Sequence, residues 1–210
     1  MQRRAKKTAE LRRRLCSVEL SVSPVELEGE HYRTGEPEKY TLFNLDMRLG
    51  GALLTPDQSS RCLSVGALWL AQRYEGEFYL MTCSCGNAGC AGFHEPVVCG
   101  RKGKFLHWTF SDSYVEFFEE CGFTTEDPQG FMVTVDAADF HRQFEAALNT
   151  VREYEKTAGV ASGFGPGDYG APTRTLDEQL ARSLEWYMRY HGHERFARHV
   201  GKPAGVCAGA

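Results

Sequence analysis

Four of the chain's eight cysteines lie between residues 83 and 99, in the stretch CSCGNAGCAGFHEPVVC. The first three follow the spacing C-x-C-x4-C, and the glycines between them allow the tight turns that bring sulfurs together. Structural zinc sites are built from four cysteine or histidine ligands in a tetrahedron. The spacing therefore predicts a structural zinc site, with a histidine as the fourth ligand. Its candidate ligands are Cys83, Cys85, Cys90 and His94.

The fourth ligand decides between zinc and a simple turn. If residues 91–99 are extended, His94 lies about 13 Å and Cys99 about 30 Å from Cys90, at about 3.3 Å per residue. His94 then reaches the metal only if the chain bends after Gly92. Without a fourth ligand, the stretch is a tight turn filled by small buried thiols. More distant candidates for the fourth ligand are Cys62, Cys121 and His107.

The same thiols also allow cysteine catalysis, which needs a thiolate beside a base. Cys90 lies among small residues that leave room for a substrate, and the candidate bases are His94, His107 and His141. The glycine and proline that follow Cys90 break helical periodicity. The sequence therefore predicts no helix N-terminus there to lower the pKa of the thiol.

The composition is typical of a soluble globular chain. Its 210 residues are 42% hydrophobic, which is enough to form a core without disulfides. No window approaches the roughly 18 apolar residues that cross a bilayer. The basic N-terminus has no apolar stretch behind it, unlike a secretory signal. We therefore expect a cytoplasmic protein with reduced cysteines and no membrane partner, which argues against disulfides.

Charge is distributed unevenly along the chain. Seven of the 24 basic residues and one of the 28 acidic residues lie in residues 1–14, which leaves 17 basic against 27 acidic residues elsewhere. A basic arm on an acidic body is suited to contact nucleic acid or an acidic partner. A solvated terminal helix is the simpler interpretation. The basic residues of the arm are Arg3, Arg4, Lys6, Lys7, Arg12, Arg13 and Arg14.

Apolar residues alternate with polar ones, or form short runs, in several segments that predict strands. Residues 61–73 fit either a short helix or a buried strand, and residues 114–121 fit a helical turn. Residues 92–98 are predicted to be extended and to lead into a turn at 100–103. The strands are predicted at 16–22 (ending at Pro24), 41–47, 77–83 (a central strand), 104–110 and 130–135.

Two helices are predicted near the C-terminus. Asp136 is a good N-cap, and apolar residues follow it at helical spacing as far as Tyr154. Thr175 and Glu178 form a capping box for the second helix, which Gly192 is expected to end. Because strands precede helices, the sequence predicts an α+β fold. We expect an antiparallel β-sheet, a helix after the last strand and a C-terminal helical segment.

The predicted domain organisation follows from this order of elements. Residues 1–157 form an α+β domain that includes the basic arm at 1–14. Residues 158–174 are rich in glycine and proline and are predicted to be a linker. Residues 175–210 form the C-terminal helical segment and tail.

Residues 78–148 resemble a loose group of uncharacterised bacterial proteins. In that group an apolar strand leads into Cys-x-Cys-Gly-x-x-Gly-Cys, matched here from Cys83 to Cys90. A strand with a tryptophan follows, matched by Trp108, and then a strand-to-helix segment. The resemblance implies a β-hairpin and a bacterial or phage origin, and it carries no activity.

Three functions fit these observations. The first is a non-enzymatic binding protein, an inhibitor or adaptor that acts on a macromolecular partner through its acidic body and its C-terminal helix. The aromatic residues Trp186, Tyr187, Tyr190 and Phe196 are typical interface anchors, although they also suit packing on the sheet. The second is a nucleic-acid-binding protein that uses the basic arm. The third is a zinc- or thiol-dependent enzyme centred on the three clustered cysteines.

Overall fold

The computed structural model describes residues 13–30, 34–54, 61–83, 87–125, 128–164 and 174–191. Within these ranges the chain forms ten strands and four α-helices. The helices are α1 (Val65–Ala71), α2 (Val115–Glu120), α3 (Ala137–Ala158) and α4 (Leu176–His191). The strands are β1 (Arg13–Leu15), β2 (Val18–Glu30), β3 (Pro37–Leu49), β4 (Ala52–Leu53), β5 (Cys62–Leu63), β6 (Gly76–Phe78), β7 (Met81–Thr82), β8 (Val97–Lys102), β9 (Phe105–Ser111) and β10 (Gly130–Asp136).

The larger sheet has the strand order β1-β10-β9-β8-β6. Its neighbouring strands are antiparallel, except that β1 pairs in parallel with β10. A hairpin turns at Gly103 between β8 and β9, and Trp108 lies opposite both Cys99 and Val133. The α+β fold class, the helix after the last strand and the C-terminal helix are therefore confirmed. The turn lies slightly later than the sequence predicted, because β8 continues to Lys102.

A second sheet consists of β2, β3 and β4, and the first two strands pair along 13 residues each. The prediction that Pro24 ends its strand is wrong. Pro24 lies opposite Phe43, whose N–H donates to the Gly163 carbonyl on the far side of β3. The backbone of Pro24 therefore faces away from β3, so the pairing needs no N–H from this residue. Because β2 lies at the edge of its sheet, proline is tolerated at this position.

The segment at 77–83 also differs from its prediction as one central strand. It divides into β6, at the edge of the five-stranded sheet, and β7, which pairs with β5 in a separate sheet of two strands. Tyr79 and Leu80 separate the two strands. The ambiguous segment at 61–73 contains both predicted structures, because β5 leads directly into α1.

Helix α3 covers the inner face of the larger sheet. Asp136 caps it by accepting hydrogen bonds from the Ala138 and Asp139 N–H groups, as predicted. Phe140 packs edge-on against Trp108, with 5.2 Å between the ring centroids, and both side chains are fully buried. This contact joins the helix to the centre of the larger sheet.

Candidate functional site: a cleft beside the cysteine stretch

The cysteine stretch forms a compact turn at the end of β7. The Cys83 N–H donates to the Asn87 carbonyl at 3.2 Å, and the Asn87 side chain accepts a hydrogen bond from the Gly89 N–H at 2.8 Å. A 3-10 turn at Gly89–Ala91 follows. Gly92 then has φ of 86°, in the left-handed region that glycine adopts without strain. The prediction that residues 92–98 are extended is therefore wrong at its start, because the chain bends at Gly92 and the strand begins only at Val97.

The predicted zinc ligands occupy different environments. Cys83 is buried, whereas Cys90 and His94 are exposed. Cys85 lies outside the described residues. In the part of the chain that the structure describes, no group of three histidine, cysteine or acidic side chains could hold a metal ion. A zinc site completed by Cys85 stays a prediction.

The more distant candidate ligands have contacts of their own. The Cys62 thiol donates to the Thr82 carbonyl at 3.5 Å. Burial raises the pKa of Cys121 to about 11; the nearby Glu120 adds to this shift, and Arg61 opposes it. The His107 Nδ1 lies 2.9 Å from the Thr134 hydroxyl. The raised pKa of Cys121 opposes the thiolate form that a metal ligand or nucleophile needs.

Two of the three candidate catalytic bases, His107 and His141, lie on different secondary-structure elements. His107 is on β9, and His141 is on α3, where its Nδ1 lies 2.9 Å from the Gln72 side-chain oxygen. Neither of these contacts involves a cysteine. The thiol of Cys99 is buried in β8, and burial raises its pKa. These contacts give no support to cysteine catalysis.

An open cleft of about 1080 Å³ lies beside the cysteine stretch. One wall is α1, and a second is formed by lining residues between 77 and 82. The turn at 87–89 and lining residues between 93 and 96 form a third wall. The second half of α4, from 182 to 187, closes the remaining side. The cleft volume lies slightly above the range typical of ligand pockets, about 300–1,000 Å³.

The cleft exposes aromatic and charged side chains. Trp186 is 58% exposed and Tyr79 is 40% exposed, so both present aromatic surface to the cleft. Arg182 is also exposed and forms no ion pair with another described residue. Glu77 is the acidic side chain among the described lining residues. None of these lining residues is a cysteine.

Close packing holds α4 against the body of the protein. Gly66 of α1 faces Ser183, and a β-carbon at position 66 would collide with that side chain. Tyr187 stacks on Phe78 of β6, with 5.0 Å between the ring centroids, and is almost fully buried. A β-carbon at Gly76 would lie 2.8 Å from the Tyr187 hydroxyl. Small residues therefore allow the helix to approach closely enough to form a wall.

Hydrogen bonds position the start of α4. The Glu155 side chain of α3 accepts from the Leu176 N–H at 2.8 Å and from the Ser162 N–H at 2.9 Å. The Gln179 amide donates to the Ser162 carbonyl at 2.7 Å. Arg152 forms an ion pair with Asp177 at 2.8 Å. These contacts connect α3, the segment after it and the first turn of α4.

Residues 162–164, part of the predicted linker, pack closely in the structure. Ser162 is fully buried, and its hydroxyl donates to the Thr41 carbonyl at 2.9 Å. Phe164 forms a parallel bridge with Phe43. Residues 165–173 lie outside the described residues, and the proposed domain boundaries stay a prediction.

Of the four aromatic residues predicted as interface anchors, the two whose side chains the structure describes lie in different environments. Tyr187 packs inward, whereas Trp186 is exposed at the cleft. The Tyr190 side chain and Phe196 lie outside the described residues. Sequence reasoning identified Trp186 but missed the cleft, because Tyr79 and Trp186 are distant in sequence and only the packing of α4 brings their walls together.

The basic arm lies largely outside the described residues. Only Arg13 and Arg14 of the predicted arm are included, and their backbone forms β1 beside β10. No helix in the described ranges has the length and apolar character needed to span a bilayer.

Comparison with protein families, curated proteins and solved structures finds no significant match to this chain.

Proposed function

We propose that the protein is a non-enzymatic binding module that takes a short segment of a partner protein into the cleft between α4 and the cysteine turn. The observation that carries this proposal is the exposure of Trp186, Tyr79 and Arg182 around one open cleft. Tryptophan, tyrosine and arginine are the residue types that contribute most to binding energy at protein interfaces. A rigid site of this kind fits an inhibitor or adaptor.

The charge of the protein favours a protein partner over nucleic acid at this site. The chain has a net charge of −4, and Arg182 shares the cleft with Glu77. Nucleic-acid binding depends on several basic side chains that neutralise successive phosphates. One arginine and one glutamate among the described lining residues support recognition of a peptide segment better than recognition of a polyanion.

The attachment of α4 supports a preformed site. The helix is held at its start by the hydrogen bonds of Glu155 and Gln179, and along its length by the packing of Tyr187. A wall that is already in place loses little conformational entropy when a ligand binds. The binding energy contributed by the exposed aromatic side chains is therefore offset little by the cost of ordering the helix, and most of it contributes to the affinity.

Selection of short random peptides on the full-length protein tests the proposal. Peptides that bind should lose affinity by tenfold or more, about 1.4 kcal/mol, when Trp186→Ala removes the exposed aromatic side chain. Val160→Ala is the matched control, because Val160 is 53% exposed and does not line the cleft. Isothermal titration measures each affinity. Equal binding to the Trp186→Ala variant would contradict the proposal.

A further inference from the structure

Among the described residues that line the cleft, one arginine and two exposed aromatic side chains together restrict the segment it can bind. Arg182 precedes Trp186 by four residues in α4, so both project from the same face of the helix. Tyr79 belongs to a different wall, between β6 and β7. A ligand that fills the cleft therefore meets a positive charge beside aromatic surface.

Arg182 is available for an external partner. Its nearest acidic neighbours along the helix are Glu178, four residues before it, and Glu185, three residues after it. Glu178 is engaged in the capping box, where its carboxylate accepts from the Thr175 N–H at 2.9 Å. The structure shows no ion pair between Arg182 and another described side chain. An exposed guanidinium is well suited to a carboxylate, which it can bind through two parallel hydrogen bonds.

We propose that the partner segment carries one aspartate or glutamate next to a large apolar residue, with the acid on Arg182 and the apolar side chain against Trp186 and Tyr79. This inference rests on the proposed function. Glu77 lies in the same cleft and repels additional negative charge, so a run of acidic residues fits less well than a single one. The occupant is therefore a mixed acidic and apolar segment rather than a polyacidic tail.

The test uses peptides selected on the full-length protein and two charge-reversal variants. Arg182→Glu should weaken binding about tenfold, because it replaces attraction with repulsion. Arg189→Glu is the matched control, because Arg189 is an exposed arginine on the same helix that does not line the cleft. It should change affinity less than twofold, by about 0.4 kcal/mol at most. Replacing the peptide's acidic residue with lysine should restore binding to the Arg182→Glu variant.

The possible outcomes separate the two proposals. Reciprocal rescue by the lysine peptide supports the inference. Peptides that depend on Trp186 but carry no acid, or that bind the Arg182→Glu variant equally well, overturn the inference and leave the binding function intact. If no selected peptide depends on Trp186, both proposals fall. Amidating the peptide C-terminus tests the other source of a carboxylate, and a loss of binding on amidation would overturn the assignment to a side chain.

Discussion

The two halves of α4 use their side chains differently. In the first turn, Leu176 is buried and Asp177 pairs with Arg152 of α3. In the second half, Arg182 and Trp186 are exposed at the cleft. The first half attaches the helix through hydrogen bonds to neighbouring segments, whereas the second half packs Tyr187 against Phe78 and presents Arg182 and Trp186 to solvent. The difference shows how one helix can be both a fixed structural element and a binding wall.

The attaching half relies on polar groups that are removed from water. Ser162 and Leu176 are almost fully buried, so their N–H groups need an acceptor within the protein. The carboxylate of Glu155 serves both. In the second half, the Trp186 side chain is more than half exposed. We therefore expect substitutions in the two halves to separate stability from binding.

Glu155→Ala should have the largest effect on stability. It leaves two buried N–H groups without their acceptor, and each such group costs about 1–3 kcal/mol. We expect the free energy of unfolding to fall by about 2–6 kcal/mol, measured by urea denaturation. Glu155→Gln is the control, because its amide oxygen can accept the same hydrogen bonds. It should retain most of the stability, and equal losses for both variants would contradict this account of the attachment.

Thiol alkylation should distinguish local opening of α4 from unfolding. Tyr187 stacks on Phe78 in β6, next to the strand that holds Cys99. We expect Cys99 to react much more slowly than the exposed Cys90, in a site-resolved mass-spectrometric measurement. If the first turn of α4 controls the docking of the whole helix, Glu155→Ala should accelerate the labelling of Cys99.

Cys121 is the internal reference for this measurement. Its pKa is raised from 9.0 to about 11, so below pH 9 it has about a hundredfold less thiolate than an ordinary thiol. Because the shift is upward, its labelling rate should keep rising with pH up to about 11 instead of levelling near 9. The Glu155→Ala variant should leave the Cys121 rate unchanged. Acceleration at both cysteines would mean that the substitution unfolds the protein as a whole.

Elements that depend on local sequence were predictable. The N-cap at Asp136 and the capping box of Thr175 and Glu178 form as predicted, because a helix start is specified within four residues. Strands β9 and β10 also follow from apolar patterning. The α+β fold class was also predictable, because it follows from the order of strands and helices along the chain.

Features that depend on distant neighbours were not predictable. The path of β2 through Pro24 depends on its place at a sheet edge, which sequence alone does not reveal. The outer edge of β2 is partly covered by Gln143 of α3, whose amide accepts from the Leu20 N–H and donates to the Val18 carbonyl. A strand edge that is covered in this way is less able to pair with a strand of another chain. The cleft likewise forms only when α4 packs beside the cysteine turn.

The ion pair between Arg152 and Asp177 should contribute least to the attachment of α4. Asp177 has a side chain that is 66% exposed, and exposed pairs are typically worth about 0.2–1 kcal/mol. Asp177 also lies in the first turn of the helix, where a negative charge interacts favourably with the helix dipole. We expect Asp177→Asn to lower the free energy of unfolding by about 0.5–1 kcal/mol, through both effects.

A double-mutant cycle with Arg152→Gln separates these effects. The coupling energy between the two substitutions isolates the pair, and the remaining effect of Asp177→Asn reports the dipole. The coupling should be about 0.5 kcal/mol at low salt and should decrease as salt screens the exposed charges. A coupling above about 2 kcal/mol that persists in high salt would mean that the pair is desolvated. The first half of α4 would then be held by charge rather than by the buried hydrogen bonds of Glu155.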